Sequence, residues 1–146
     1  MMAGMTTIVR TISRLLFPFM VLFGVCVVLH GHLTPGGGFQ GGVIIAASFV
    51  MLWLAYSLEQ SPIEFKLFRT EVLEAIGGLT LATVGLIGLV MGVGKFFGHV
   101  LPLGILGNLL SGGDLPLLNI GVSIEVAASI ILVFYAMLRK TGWDEK

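Results

Sequence analysis

Apolar residues fall in four long runs separated by short polar or glycine-rich breaks. That pattern predicts helices crossing a hydrocarbon layer, not the half-polar periodicity of a soluble helical core. A bilayer core of about 30 Å needs roughly 20 predominantly apolar residues per helix. The run Leu15–Leu29, with Ile12 and Ser13, predicts a first helix over 12–30. Val43–Ser57 carries no charge and, with Phe39 and Leu58, predicts a second over 39–59. A third is expected over 71–94, and a fourth over 116–138, closed by Arg139 and Lys140. The fold class is therefore all-α, an integral membrane protein with four transmembrane helices and one domain over 1–146. A basic head before an apolar stretch also fits a signal peptide. No A-x-A-like cleavage site follows it, so the first segment is expected to be retained as a helix.

The breaks are as informative as the runs. Thr34-Pro35-Gly36-Gly37-Gly38-Phe39-Gln40-Gly41-Gly42 is opened by a proline and rich in glycine. Glycine disfavours a helix by about 1 kcal/mol and proline by roughly 3, so irregular backbone is expected here. Pro35, Gly36, Gly37, Gly38, Gly41 and Gly42 would let another helix or subunit press close. Gly88-x-x-x-Gly92 has the small-x-x-x-small spacing of close helix pairs, and with Gly77, Gly78, Gly85 and Gly94 it predicts a third helix packed on several sides. Trp53 and Tyr56 are expected at headgroup level. The connector Glu59–Arg69 is expected along the membrane surface. Phe96–Asp114, broken by glycines and Pro102, is expected to make a surface or re-entrant excursion.

Composition agrees with a membrane location. The chain is 56% apolar and 11% charged, against about 25% charged in soluble domains, and its mean hydropathy is +1.03. Its net charge is zero, and no basic stripe points to nucleic acid. Arg10, Arg14, Lys66, Arg69, Arg139, Lys140 and Lys146 fall on one side of a four-span topology, and Lys95 alone on the other. The positive-inside rule then puts both termini in the cytoplasm and the glycine loop outside. Cys26 is the lone cysteine; it offers no disulfide and is expected as a small buried core residue.

No catalytic set, cofactor motif or metal cluster stands out. His30-x-His32 offers two metal ligands in a loop, outweighed by the reading of interfacial histidines bonded to water or backbone. Glu125 is different. It lies well inside the fourth run, where a carboxylate is costly unless paired, wet or protonated, and so marks an ion or proton path. Its other reading is a structural hydrogen bond to a partner subunit. Helical spacing puts Gly121, Glu125, Ala128 and Ser129 on one flank, and Asn119 and Ser123 on another. Glu71 and Glu74 begin the third helix, where acids favour the N-terminal dipole. The expected ion path is Glu125, Ser129, Glu74, Asn119 and Ser123, with Thr80 and Thr83 as further oxygens near the spans.

Three motifs in order carry a resemblance: the glycine loop before an apolar helix, Leu101-Pro102-Leu103-Gly104, and Leu115-Pro116-Leu117-Leu118-Asn119-Ile120-Gly121-Val122 continuing to Glu125-Val126. Over nearly the whole chain these resemble the MnhB/MrpB family. The resemblance implies a small subunit of Mrp-type multi-subunit Na+/H+ antiporters, with other membrane subunits as partners, Na+ and H+ as transported ions and no cofactor. The same module occurs in membrane-bound hydrogenase and sulfane-sulfur reductase complexes, which gives a second reading. A purely structural scaffold without an ion path is a third. The family pattern transfers no catalytic residue.

Overall fold

The computed structural model describes residues 5–33, 35–56, 67–93, 96–97, 101–105 and 111–140. Four helices cross the molecule: α1 (Thr7–Leu29), α2 (Gly37–Tyr56), α3 (Leu67–Gly88) and α4 (Leu115–Lys140). Each contains a stretch long and apolar enough to cross a membrane, and the described residues include no strand. α3 continues into a π-helical turn over Leu89–Val93, which includes Gly92. The connector at 57–66 lies outside the described residues, as do Thr34, Lys95, His99 and Lys146.

Pairwise contacts fix the topology. α1 and α2 are antiparallel: the Phe17 and Phe49 rings meet edge to face at 5.1 Å, and the Tyr56 hydroxyl donates to the Arg10 carbonyl at 3.2 Å. The Arg10 Nε–H in turn donates to the Ala55 carbonyl at 3.3 Å, and its guanidinium lies 5.4 Å from the Tyr56 ring centre. Such cation–π contacts contribute about 0.5–2 kcal/mol. They explain why α1 starts a turn and more before its long apolar run. A charged residue with local partners extends the helix toward the interface.

α2 and α4 run in the same direction, Gly38 meeting Asn119 and Gly42 meeting Ser123. Further along, Trp53 and Tyr135 pack edge to face at 5.9 Å. Ala46, Trp53 and Ile131 form the buried centre of this contact. Trp53 is thus a core residue with 2% of its surface exposed, and not the headgroup anchor expected from its place near the helix end. The Tyr135 ring on α4 covers it before it can reach the interface. Cys26 is a correction in the other direction: it is exposed on α1, because Gly24 and Val28 supply the buried side of that helix.

α3 packs against α4 and, among the described residues, makes no comparable contact with α1 or α2. Leu79 and Val90 remain 68% and 81% exposed. Within this chain the glycines of α3 meet a neighbour on one flank only, against α4, and the rest of the helix faces outward. Past the π turn the chain folds back. The Phe97 N–H donates to the Gly85 carbonyl at 3.3 Å, and the Phe96 ring lies where a Cβ on Gly85 would be. The Leu101 N–H donates to the Asp114 carboxylate at 3.2 Å, and the Ser111 carbonyl accepts from Gly104. The described pieces of 96–114 thus fold over one end of the bundle.

Candidate functional site

The glycine motif is irregular backbone only in its first part, a turn at Pro35 and Gly36, and its remainder begins α2. Only Gly36 and Gly37 need the left-handed region, with φ of +141° and +59°. Past Gly37 the backbone is helical. What glycine provides at 38, 41 and 42 is proximity. A Cβ on Gly42 would sit 2.7 Å from the Ser123 carbonyl oxygen, and one on Gly41 would sit 2.8 Å from that of Gly24 in α1. A Cβ on Gly38 would fall on the backbone carbonyl of Asn119. The helical penalty of these glycines is offset by backbone-to-backbone packing on two sides, both supplied by the same chain.

Asn119 organises this contact. Its Oδ1 accepts the Gly38 N–H at 3.3 Å, one of the amides a helix start leaves without an intrahelical partner. Its Nδ2 lies 2.7 Å from where Gly31 would carry a Cβ. Ser123, one turn on, bonds back to the Ile120 carbonyl at 2.8 Å. Both residues belong to the α2–α4 contact, where they serve helix packing.

The other three expected path residues come together on the α3–α4 seam. These helices are antiparallel, so Glu74 lies level with Ser129, and Gly77–Gly78 level with Glu125. The Ser129 hydroxyl donates to Glu74 Oε1 at 2.6 Å. A Cβ on Gly77 would lie 2.7 Å from both Cβ and backbone N of Glu125, and one on Gly78 would lie 3.7 Å from its carboxylate oxygen. Two consecutive glycines therefore make the room that the Glu125 side chain occupies. Glu125 and Ser129 are four residues apart, so the two carboxylates are offset by about 6 Å along the seam. Both glutamates and Ser129 are half-buried. Glu125 sits ten residues into α4, about 15 Å from its start.

The Thr80 and Thr83 hydroxyls turn back onto α3, each donating to the carbonyl four residues earlier, at 2.8 and 2.7 Å. The Thr80 side chain packs on Gly121, 3.3 Å from where a Cβ there would be. Sequence reasoning missed the role of Gly77 and Gly78. A glycine pair one turn after Glu74 was the available signal. Glu71 is exposed on the first turns of α3. The histidines are apart: the His30 Nδ1–H donates to the Cys26 carbonyl at 2.9 Å, while the His32 ring packs on Gly112. No group of three or more metal-ligating side chains occurs among the described residues.

Residues 8–132 match the family model of a domain related to the MnhB subunit of Na+/H+ antiporter. An uncharacterized protein of Methanocaldococcus jannaschii is 35% identical over 86% of this chain and 49% of its own length. A putative antiporter subunit mnhB2 of Staphylococcus aureus is 34% identical over 58% of this chain and 60% of its own. Among solved structures, a chain of the membrane-bound sulfane sulfur reductase, an archaeal respiratory membrane complex, matches with a TM-score of 0.78 and 34% identity. That alignment covers 94% of this chain and 60% of the other. The chain thus spans about half to three-fifths of the length of these relatives.

Proposed function

This chain belongs to the family of domains related to the MnhB subunit of Na+/H+ antiporters, and from that premise we propose that it is a membrane subunit, non-catalytic on its own, taking part in Na+/H+ exchange within a larger assembly. The carrying observation is the α3–α4 seam, where Glu74 accepts from Ser129 at 2.6 Å and Glu125 lies one turn away against two glycines. An acidic side chain at mid-span costs on the order of 3 kcal/mol on insertion scales. A chain this apolar keeps such a pair where the carboxylates have a use. Carboxylate and hydroxyl oxygens suit a proton or a hard cation such as Na+, and the offset of one turn gives two successive stations along the seam. Arg10, Arg14, Arg69, Arg139 and Lys140 all lie at the end where α1 starts and α4 finishes, which supports a cytoplasmic placement of both termini.

Likeness to a chain of a sulfane sulfur reductase complex favours a second reading, in which the same ion-handling subunit works inside a respiratory assembly. Electron transfer then lies in other chains, and the role of the seam is unchanged.

Glu125→Gln tests the proposal. The amide keeps the shape of the side chain but holds neither a titratable proton nor a charge. Na+/H+ exchange by the assembled complex in vesicles is expected to fall at least tenfold with subunit assembly unaltered. Normal exchange by an assembled Gln variant overturns the path.

A further inference from the structure

An apolar groove of about 470 Å³ runs along α2, with Val43, Ala47 and Leu54 on its floor, Ser13 of α1 on one wall, and Ile130 and Phe134 of α4 on the other. We propose that this groove holds one acyl chain of an anionic phospholipid from the leaflet at the end where α1 starts and α4 finishes.

Three observations carry the assignment. The first is extent. Val43 to Leu54 covers about 16 Å of helix, half of a hydrocarbon core of about 30 Å. Beyond Val43 the groove is shut, because α2 lies against the backbone of α1 at Gly41 and of α4 at Gly42. An occupant is therefore confined to one leaflet, as a lipid chain is and a crossing helix is not. The second is lining. Apart from Ser13, every described residue along the groove is apolar, which suits a hydrocarbon chain. The third is charge. The Arg10 guanidinium lies at the groove's end through its bond to the carbonyl of Ala55, which itself lines the groove. Arg139 and Lys140 close α4 at the same end. Among the described residues no acidic side chain lines the groove. Basic residues near a membrane surface attract anionic headgroups by about 1 kcal/mol each, so the mouth selects the headgroup while the apolar floor takes the chain.

The full-length protein is reconstituted in phosphatidylcholine bilayers containing a trace of phosphatidylglycerol with a photoreactive acyl chain, and the labelled peptides are mapped. Labelling is expected to concentrate on Val43–Leu54 and Ile130–Phe134, several-fold above the outward face of α1 at Leu15, Phe19 and Leu22, which are 64%, 63% and 64% exposed. Unlabelled phosphatidylglycerol should compete better than phosphatidylcholine, a readout that needs no variant. Ala47 is exposed on the groove floor, so Ala47→Trp should cut groove labelling several-fold while labelling of the α1 face stays constant. Arg10→Gln should lessen the preference for phosphatidylglycerol. Labelling no stronger than on the α1 face, or equal competition by the two lipids, overturns the site. So does crosslinking of Ala47 to another subunit's helix in the assembled complex.

Discussion

Gly38→Val is expected to remove most of the folded protein from the membrane fraction. The new Cβ would fall on the Asn119 carbonyl oxygen, 2.8 Å from that residue's carbonyl carbon and 2.9 Å from its Cα. All three are backbone atoms of a helix interior, so no side-chain rotation relieves the clash. α4 would have to move away from α2, and that movement opens the bond from the Gly38 N–H to Asn119 Oδ1 and the contact of Gly42 with Ser123. Overpacking typically destabilises by 1–3 kcal/mol and a lost hydrogen bond by about 1, so a combined loss of about 3 kcal/mol is expected. Phe39 is 61% exposed, and Phe39→Val is the matched control with little effect. Size-exclusion profiles and thermal midpoints of the two detergent-extracted variants check the contrast. A Gly38→Val midpoint equal to that of the control contradicts the α2–α4 seat.

Glu74→Gln is expected to have the second large effect, on transport and not on stability. Gln retains an oxygen in the place of Glu74 Oε1, so the Ser129 hydroxyl keeps an acceptor and the α3–α4 seam stays closed. What disappears is the charge that a cation or proton can neutralise. Na+/H+ exchange should fall at least tenfold, while the amount of assembled complex stays at the wild-type level. Ser129→Ala removes the donor and leaves the carboxylate; its loss of about 1 kcal/mol should change the apparent affinity for Na+ more than the maximal rate. Equal exchange by wild type and Glu74→Gln would reduce the pair to a structural hydrogen bond.

Much of the fold was legible because a membrane imposes length. Four predominantly apolar runs of sufficient extent can satisfy their backbone in lipid only as helices, and four such helices are present. Helical spacing also put Glu125 and Ser129 on one flank and Asn119 and Ser123 on another, as found. Spacing along one helix does not say which neighbour each flank meets. That is why Asn119 and Ser123 entered the expected path, although they face the glycines of α2. The same gap explains Trp53, whose covering partner Tyr135 lies more than eighty residues away in sequence. The glycine motif was read as irregular from its composition, yet most of it is helical. A propensity of about 1 kcal/mol per glycine is outweighed where two backbones can pack in contact. The seam on α3 was half legible: Glu74 was singled out, but the space made by Gly77 and Gly78 becomes visible only when α4 is laid against it.

On the proposed function, the seam carboxylates are where Na+ and H+ exclude one another. Competition for one group makes the apparent KM for Na+ depend on pH by mass action. The deciding measurement is that KM, determined across a range of pH for exchange by the assembled complex in vesicles, for wild type and for the Glu74→Gln/Glu125→Gln double variant. In wild type the KM should rise as pH falls, and the residual exchange of the double variant should lose that dependence. A double variant that exchanges at the wild-type rate with the wild-type pH dependence would place the competition site elsewhere in the assembly.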